Sequence, residues 1–235
     1  MNNTIRTIVK LNFKTIDGAY IAAGAGVAMF LVQYIIDTIL VMKGENFADN
    51  TGLSFSWALW ALPVAAGIII PAANFRRIIS LGGKREPFFR ACIINYAILA
   101  AAASLLGVIV LYAVDYSVIS AGLYGGLLSV SDTFGWGAQG PAVLFLRQFA
   151  FLFLTAVFTH TFVAAQGKWY GWAATIMLIV ILSVFLPIEP LRNIVVTYFY
   201  LILFNPNALA QIGLCLAIGV AIYLLNRPIF ARKAI

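Results

Sequence analysis

The sequence predicts an all-α integral membrane protein: six transmembrane helices, an N-terminal amphipathic elbow helix, and short re-entrant or interfacial helices before the last span. Three observations carry this. Of the 235 residues, 63% are hydrophobic and only 10% charged, against roughly a quarter charged in soluble domains. Apolar runs of roughly 18 residues or more recur, the length that crosses a bilayer as a helix. Basic residues are confined to short segments beside those runs, so the net charge of +7 reads as orientation in a bilayer rather than as a nucleic-acid surface. Residues 1–235 form a single transmembrane domain with no room for a second folded unit.

Residues 4–17 open as an amphipathic helix. At about 100° per residue, Ile5, Ile8, Val9, Phe13 and Ile16 share one face, while Arg6, Lys10, Lys14 and Asp17 share another. Such a segment lies in the interface plane beside anionic lipid, as a surface anchor or as an elbow that also touches a cytoplasmic partner. The first long apolar run begins near Tyr20 and lacks a small-residue cleavage site, so no cleavable signal peptide is expected. The first span covers residues 20–42. Gln33 and Asp37 interrupt it near its outer end. An acid in a membrane segment is costly and a functional candidate by default, although Asp37 lies within reach of headgroups or water. Residues 43–56 form a polar outer loop with Glu45 and Asp49. The second span, 57–75, contains Pro63 and Pro71, each of which removes a backbone donor and favours a bend.

The stretch 76–90 is the focus of the chain. It carries Arg76, Arg77, Lys84, Arg85 and Arg90 against Glu86 alone. Residues 75–81 continue as a short helix, and Gly82 and Gly83 break it. Glu86 then Pro87 start the next helix, with the acid at the positive end of the dipole and proline in the first turn. The expected product is helix, sharp turn, helix, projecting just outside the membrane.

The third span covers 88–114, where Ala97 and the alanines at 100–103 offer a small-residue surface for close packing. Residues 115–141 are read as a long outer loop. Its Gly135-Trp136-Gly137-Ala138-Gln139-Gly140 matches G-x-G-x-x-G, but the dinucleotide fingerprint needs a strand before it and a helix after it in a βαβ unit. Between two membrane spans it implies no cofactor. In the fourth span, 142–165, Arg147 is expected to snorkel to headgroups or to pair with an outer acid such as Asp132. His160, the single histidine, lies among Thr155, Thr159 and Thr161. Lacking Cys, Asp or Glu neighbours, it reads as a hydrogen-bonded packing residue rather than a metal ligand. Gln33, Asp37 and His160 are the polar candidates for a pathway through the membrane.

Residues 166–170 form a tight inner turn with Lys168, Trp169 and Tyr170, and the fifth span covers 171–186. Within 188–206 the apolar part, 194–204, is eleven residues long. That favours an outer re-entrant or interfacial segment over a full span. The sixth span covers 207–225, followed by Arg227, Arg232 and Lys233. Cys92 and Cys215 fall inside apolar runs and read as buried small hydrophobes, not a disulfide. With six spans, twelve of the fifteen basic residues share one side, leaving Lys43, Arg147 and Arg192 on the other. The bias places both termini in the cytoplasm of a cell that holds the protein in its inner or plasma membrane.

The sequence contains no G-x-x-x-x-G-K-[ST] phosphate loop and no H-E-x-x-H. It offers no nucleophile with an evident base, no pair of mid-membrane carboxylates for an ion relay, and no obvious inverted repeat. An enzyme in its own right is not expected. A membrane subunit worked by a separate motor fits better: the motor would grip the inner loop and rock the spans.

The run Asn74-Phe75-Arg76-Arg77-Ile78-Ile79-Ser80-Leu81-Gly82-Gly83-Lys84-Arg85-Glu86-Pro87-Phe88-Phe89 resembles the loop of bacterial ABC-2 type (type V) transporter permeases. There a helix is followed by Gly, a small residue, a basic pair and an aromatic pair; Gly83 departs mildly from the usual small hydrophobe or serine. The layout of elbow, six spans, coupling loop after the second span and short outer helices before the last is similar across most of the chain. The resemblance implies two ATPase subunits as partners and a second permease copy or sister permease, with ATP and Mg²⁺ held on the ATPase and no cofactor on this chain. It implies coupling through Arg76, Arg77, Gly82, Lys84 and Arg85, an elbow surface at Arg6, Lys10 and Lys14, and a pathway faced by spans 1, 2 and 5. It also implies export of a hydrophobic or amphipathic cargo such as a peptide, drug or lipid. Two other classes remain open from the residues: a substrate-binding membrane subunit of an importer, and a non-transporting scaffold or immunity protein.

Overall fold

In hydrocarbon, backbone N–H and C=O groups must be satisfied within the spanning segment, so apolar chains of this kind close on themselves as helices. The computed structural model of the protein describes residues 3–44, 51–166 and 168–232, with side chains described as far as residue 225. Glu45, Asp49 and Lys233 lie outside the described residues. The helices are α1 (Asn3–Thr15), α2 (Asp17–Met42), α3 (Ser56–Ser80), α4 (Arg85–Ser120), α5 (Val130–Thr133), α6 (Pro141–Ala165), α7 (Trp169–Phe185), α8 (Glu189–Phe204) and α9 (Ala208–Arg232). Among the described residues, α2, α3, α4, α6 and α9 are each long and apolar enough to cross a membrane, and α7 with α8 qualifies as a pair bent by 118°. The protein is a multi-pass, all-α membrane protein.

The core is built around α6, which packs against α3, α4 and α9. Small residues let these axes approach: Ala91, Ala100 and Ala103 of α4, and Ala150, Ala156 and Ala164 of α6, are buried. Gly67 of α3 makes one of these close contacts. A Cβ there would lie 2.6 Å from the Ala156 carbonyl oxygen and 2.0 Å from Thr159 Oγ1. By contrast α2 buries only Tyr34 and Asp37, and Gly171 is the one buried residue of α7. These helices turn apolar side chains outward, as lipid-facing helices do. His160 Nδ1 lies 2.5 Å from Tyr96 Oη, and Tyr223 donates to the Phe89 carbonyl. These contacts set the C-terminal halves of α6 and α9 beside the start of α4, at what we call the basic end.

Two features differ from the sequence expectation. The third span does not stop at 114. The helix continues to Ser120 through a π-turn at Val110–Asp115, and the extra residue per turn accompanies burial of Val110, Leu111 and Asp115. The outer loops are not independent either. Strand β1 (Thr51–Leu53) pairs in parallel with β2 (Gly126–Leu128), and Trp57 Nε1 donates to the Leu128 carbonyl at 3.0 Å. The segment 188–206, expected as a short re-entrant or interfacial helix, is helical from Glu189, with Pro190 in its first turn. It folds back from α7 at the 118° bend. Pro63 and Pro71 sit inside α3 without ending it.

Candidate functional site at the basic end

The basic turn between α3 and α4 is shaped by its own sequence. At the end of α3, Gly82 N–H donates to the Ile79 carbonyl at 3.0 Å and Gly83 N–H to the Ile78 carbonyl at 2.9 Å. This is the paired closure of a Schellman motif, which needs a left-handed residue at its centre. Gly82 supplies it with φ +80°. Lys84 is extended, and α4 starts with Glu86 in its first turn. Phe75 and Phe88 face each other across the turn, ring centres 5.6 Å apart, both buried; they tie the two arms together. Arg76, Arg77, Lys84 and Arg90 remain exposed while Arg85 and Glu86 are half-buried. Leu81 stands at the tip, 79% exposed. Arg90 Nε contacts Glu86 Oε1 at 3.0 Å, an exposed i,i+4 pair of small energetic value.

The amphipathic face of α1 is where its periodicity predicts. Ile8 and Val9 are buried, Ile5 and Phe13 half-buried, and Arg6, Lys10 and Lys14 exposed; Ile16, between α1 and α2, is buried, and Asp17, the first residue of α2, is exposed. The buried face lies on α4 and α3. One polar residue interrupts it: Asn12, with no exposed surface. Its Nδ2 donates to Asn95 Oδ1 at 2.9 Å. Its Oδ1 accepts from Asn74 Nδ2 at 2.8 Å. Asn74 Oδ1 in turn accepts from Thr15 Oγ1 at 3.0 Å, and Asn95 Nδ2 donates to the Val9 carbonyl at 3.2 Å. The result is a continuous donor-to-acceptor relay, Thr15 to Asn74 to Asn12 to Asn95 to Val9, stitching α1, α3 and α4 together directly behind the basic turn. Sequence reasoning passed over these asparagines. The available signal was an amide on an apolar helix face, and two more at the ends of the runs flanking the turn.

His160 is buried at the same end of the bundle, bonded to Tyr96, with the Tyr223 ring centre 5.8 Å away. That is the geometry of a packed, hydrogen-bonded histidine. Phe89 stacks on Tyr223 with centres 4.2 Å apart. The helix after the turn is therefore also anchored to α9.

A second set of polar residues gathers at the opposite end. Asp37 is buried rather than reaching outward. It accepts from Gln33 Nε2 at 2.9 and 3.0 Å and from the Tyr124 hydroxyl. Burial, and then the bond to the Asp37 carboxylate, push the Tyr124 phenol well above its usual value. With β1 pairing β2, this clasp closes the end of α2 over the loop after α4. Asp115, missed at the sequence level because it was read as a loop residue, is buried at the end of the π-turn. Arg147 neither snorkels nor pairs with Asp132. It is buried, and its Nη2 donates to the carbonyls of Asn205 at 2.9 Å and Pro206 at 3.2 Å, while Asp132 accepts from Ser129 Oγ at 2.9 Å. Trp136 Nε1 donates to the Leu203 carbonyl at 2.8 Å. The glycine-rich segment that mimics a dinucleotide motif thus helps hold the end of α8.

No family model, characterised protein or solved structure matches the chain. Among the described residues, no group of three or more His, Cys, Asp or Glu side chains is placed to hold a metal ion.

Proposed function

We propose that this chain is the membrane-spanning permease subunit of an ATP-driven exporter of the ABC-2 type. It would move a hydrophobic or amphipathic cargo out of the cytoplasm or inner leaflet. The observation that carries the reading is the basic turn: a capped helix–turn–helix with Arg76, Arg77 and Lys84 exposed around an exposed Leu81. An apolar tip with a cationic rim suits docking into a groove on an acidic protein partner, and the partner assigned here is a pair of ATPase subunits. In this reading Gly82 sets the turn, Arg76, Arg77, Lys84 and Arg85 contact the ATPase, and α1 is the elbow with Arg6, Lys10 and Lys14 on its outer face. ATP and Mg²⁺ belong to the ATPase.

The topology of this proposal counts α7 and α8 as one bent crossing, giving six. Support comes from α1 and the end of α9 lying at the same, basic end, which the positive-inside bias assigns to the cytoplasm. A second copy or a sister permease completes the pathway.

The test is purification of the tagged full-length chain from its native membrane, followed by reconstitution with the associated proteins. The proposal expects direct association with an ATP-hydrolysing chain and ATP-dependent movement of lipid, peptide or dye across the vesicle. Association only through another membrane protein would favour an importer's substrate-binding subunit. An intact, ATP-hydrolysing assembly that moves none of these would favour a non-transporting scaffold.

A further inference from the structure

The asparagine relay bears on how force would leave the basic turn. Resting on the docking role proposed for that turn, we infer that Asn12, Asn74 and Asn95 form a rigid joint. The joint makes α1, the part of α3 beyond Pro71 and the first turns of α4 a single block. The three asparagines are positioning residues for the two basic surfaces.

The chemistry of the relay favours one geometry. Each of the three amides donates once and accepts once in the same chain of bonds. An apolar contact between helices tolerates sliding and rotation. A relay of planar amides is satisfied at one height and one rotation of all three helices, and the buried groups are costly if left unpaired. All three side chains are buried, so water does not replace a broken link.

The relay is also well placed to join the two basic surfaces. Asn74 lies two residues before Arg76, on the same helix end. Asn12 lies between Lys10 and Lys14 in sequence but on the opposite, buried side of α1. Locking these two amides together fixes the exposed basic face of α1 relative to the basic turn.

A weak point in α3 lies just beyond the joint. Pro71 has no N–H, so the Gly67 carbonyl lacks its helical donor and α3 is weakened there. Gly67 is also in close contact with α6, at Ala156 and Thr159. A pivot at 67–71 and a lock at 74 mean that a push on the turn swings α1 and the start of α4 with it.

The experiment is hydrogen exchange on the full-length protein in lipid nanodiscs. Asn74→Leu removes two links of the relay and should raise exchange of the α1 amides roughly tenfold to a hundredfold, leaving α6 and α9 unchanged. Ile70→Ala, which removes buried apolar volume from the same helix, should leave α1 unchanged. Unaltered α1 exchange in Asn74→Leu, or an equal rise in Ile70→Ala, overturns the joint. Should Asn74→Leu fail to fold, Thr15→Val removes the terminal donor, whose hydroxyl also bonds the Leu11 carbonyl within α1 at 2.9 Å, and keeps the three amides. It should raise α1 exchange roughly threefold, as expected for a partly exposed hydrogen bond, and no rise overturns the joint. None of these readouts needs a motor. If they hold and no ATPase binds, the joint stands and the exporter reading falls. If the ATPase binds and Asn74→Leu transports at the wild-type rate with a loosened α1, the positioning role is overturned.

Discussion

Replacing Gly67 by alanine perturbs a close approach between α3 and α6. The added Cβ would sit 2.6 Å from the Ala156 carbonyl oxygen, where ordinary contact begins near 3.4 Å. The two helices are therefore ~0.8 Å too close for it. Thr159 Oγ1 would lie at 2.0 Å, and that hydroxyl is held by the carbonyls of Thr155 and Ala156 at 2.9 and 3.0 Å. The hydroxyl can rotate away at the cost of its bonds. The backbone oxygen cannot, so α3 must retreat from α6 along a contact that organises the core. Overpacking of this kind costs about 1–3 kcal/mol. Unfolding in mixed micelles should show Gly67→Ala destabilised by about 2 kcal/mol. Adding Thr159→Ala should recover part of that loss but not all, since the Ala156 carbonyl remains. A Gly67→Ala protein as stable as the wild type, or complete rescue by Thr159→Ala, would refute the reasoning that the backbone contact sets the spacing.

Other outcomes rest on the same geometry. Changing Arg76, Arg77, Lys84 and Arg85 together to Ala should leave insertion intact by protease mapping while weakening ATPase binding. At ~0.2–1 kcal/mol per charge the loss from four charges is about fourfold to several hundredfold, and it should shrink as salt rises; unchanged binding and transport in a correctly oriented protein would remove the coupling assignment. Gly82→Val places a β-branched residue at φ +80° and should cost at least about 1–2 kcal/mol, read as lowered stability and faster exchange at 78–84. Tyr124→Phe removes the hydroxyl that Asp37 accepts from, leaving a buried carboxylate with Gln33 alone among its described partners. Stability should fall by about 1.5–3 kcal/mol, and Asp37→Asn in that background should restore part of it.

How much was legible in the sequence differs from element to element. The basic turn was readable in detail because its causes are local: two glycines for the Schellman closure, Glu86 and Pro87 to restart a helix, and arginines and lysines that avoid burial. The exposed face of α1 was readable for the same reason, since periodicity alone assigns Arg6, Lys10 and Lys14 to water. Asn12 was not, because an amide on an apolar face gains its meaning only from Asn74 and Asn95, 62 and 83 residues away. Arg147 failed in the same manner. Composition suggested Asp132 as partner, but the charge is spent on two backbone carbonyls at the end of α8. Asp115 was misplaced because a π-turn carries the helix one turn past the point where hydropathy fades.

The amino-acid order by itself therefore determined the helical membrane class, the long apolar helices and the basic turn. Each of these arises from hydrophobicity, helix capping or charge acting over a few residues. The tertiary structure alone decided the asparagine relay, the β1–β2 pairing, the Asp37–Tyr124 clasp and the 118° angle between α7 and α8. In a mostly apolar chain the few buried polar groups must find one another across the bundle, and which ones meet depends on the helix packing that brings them together.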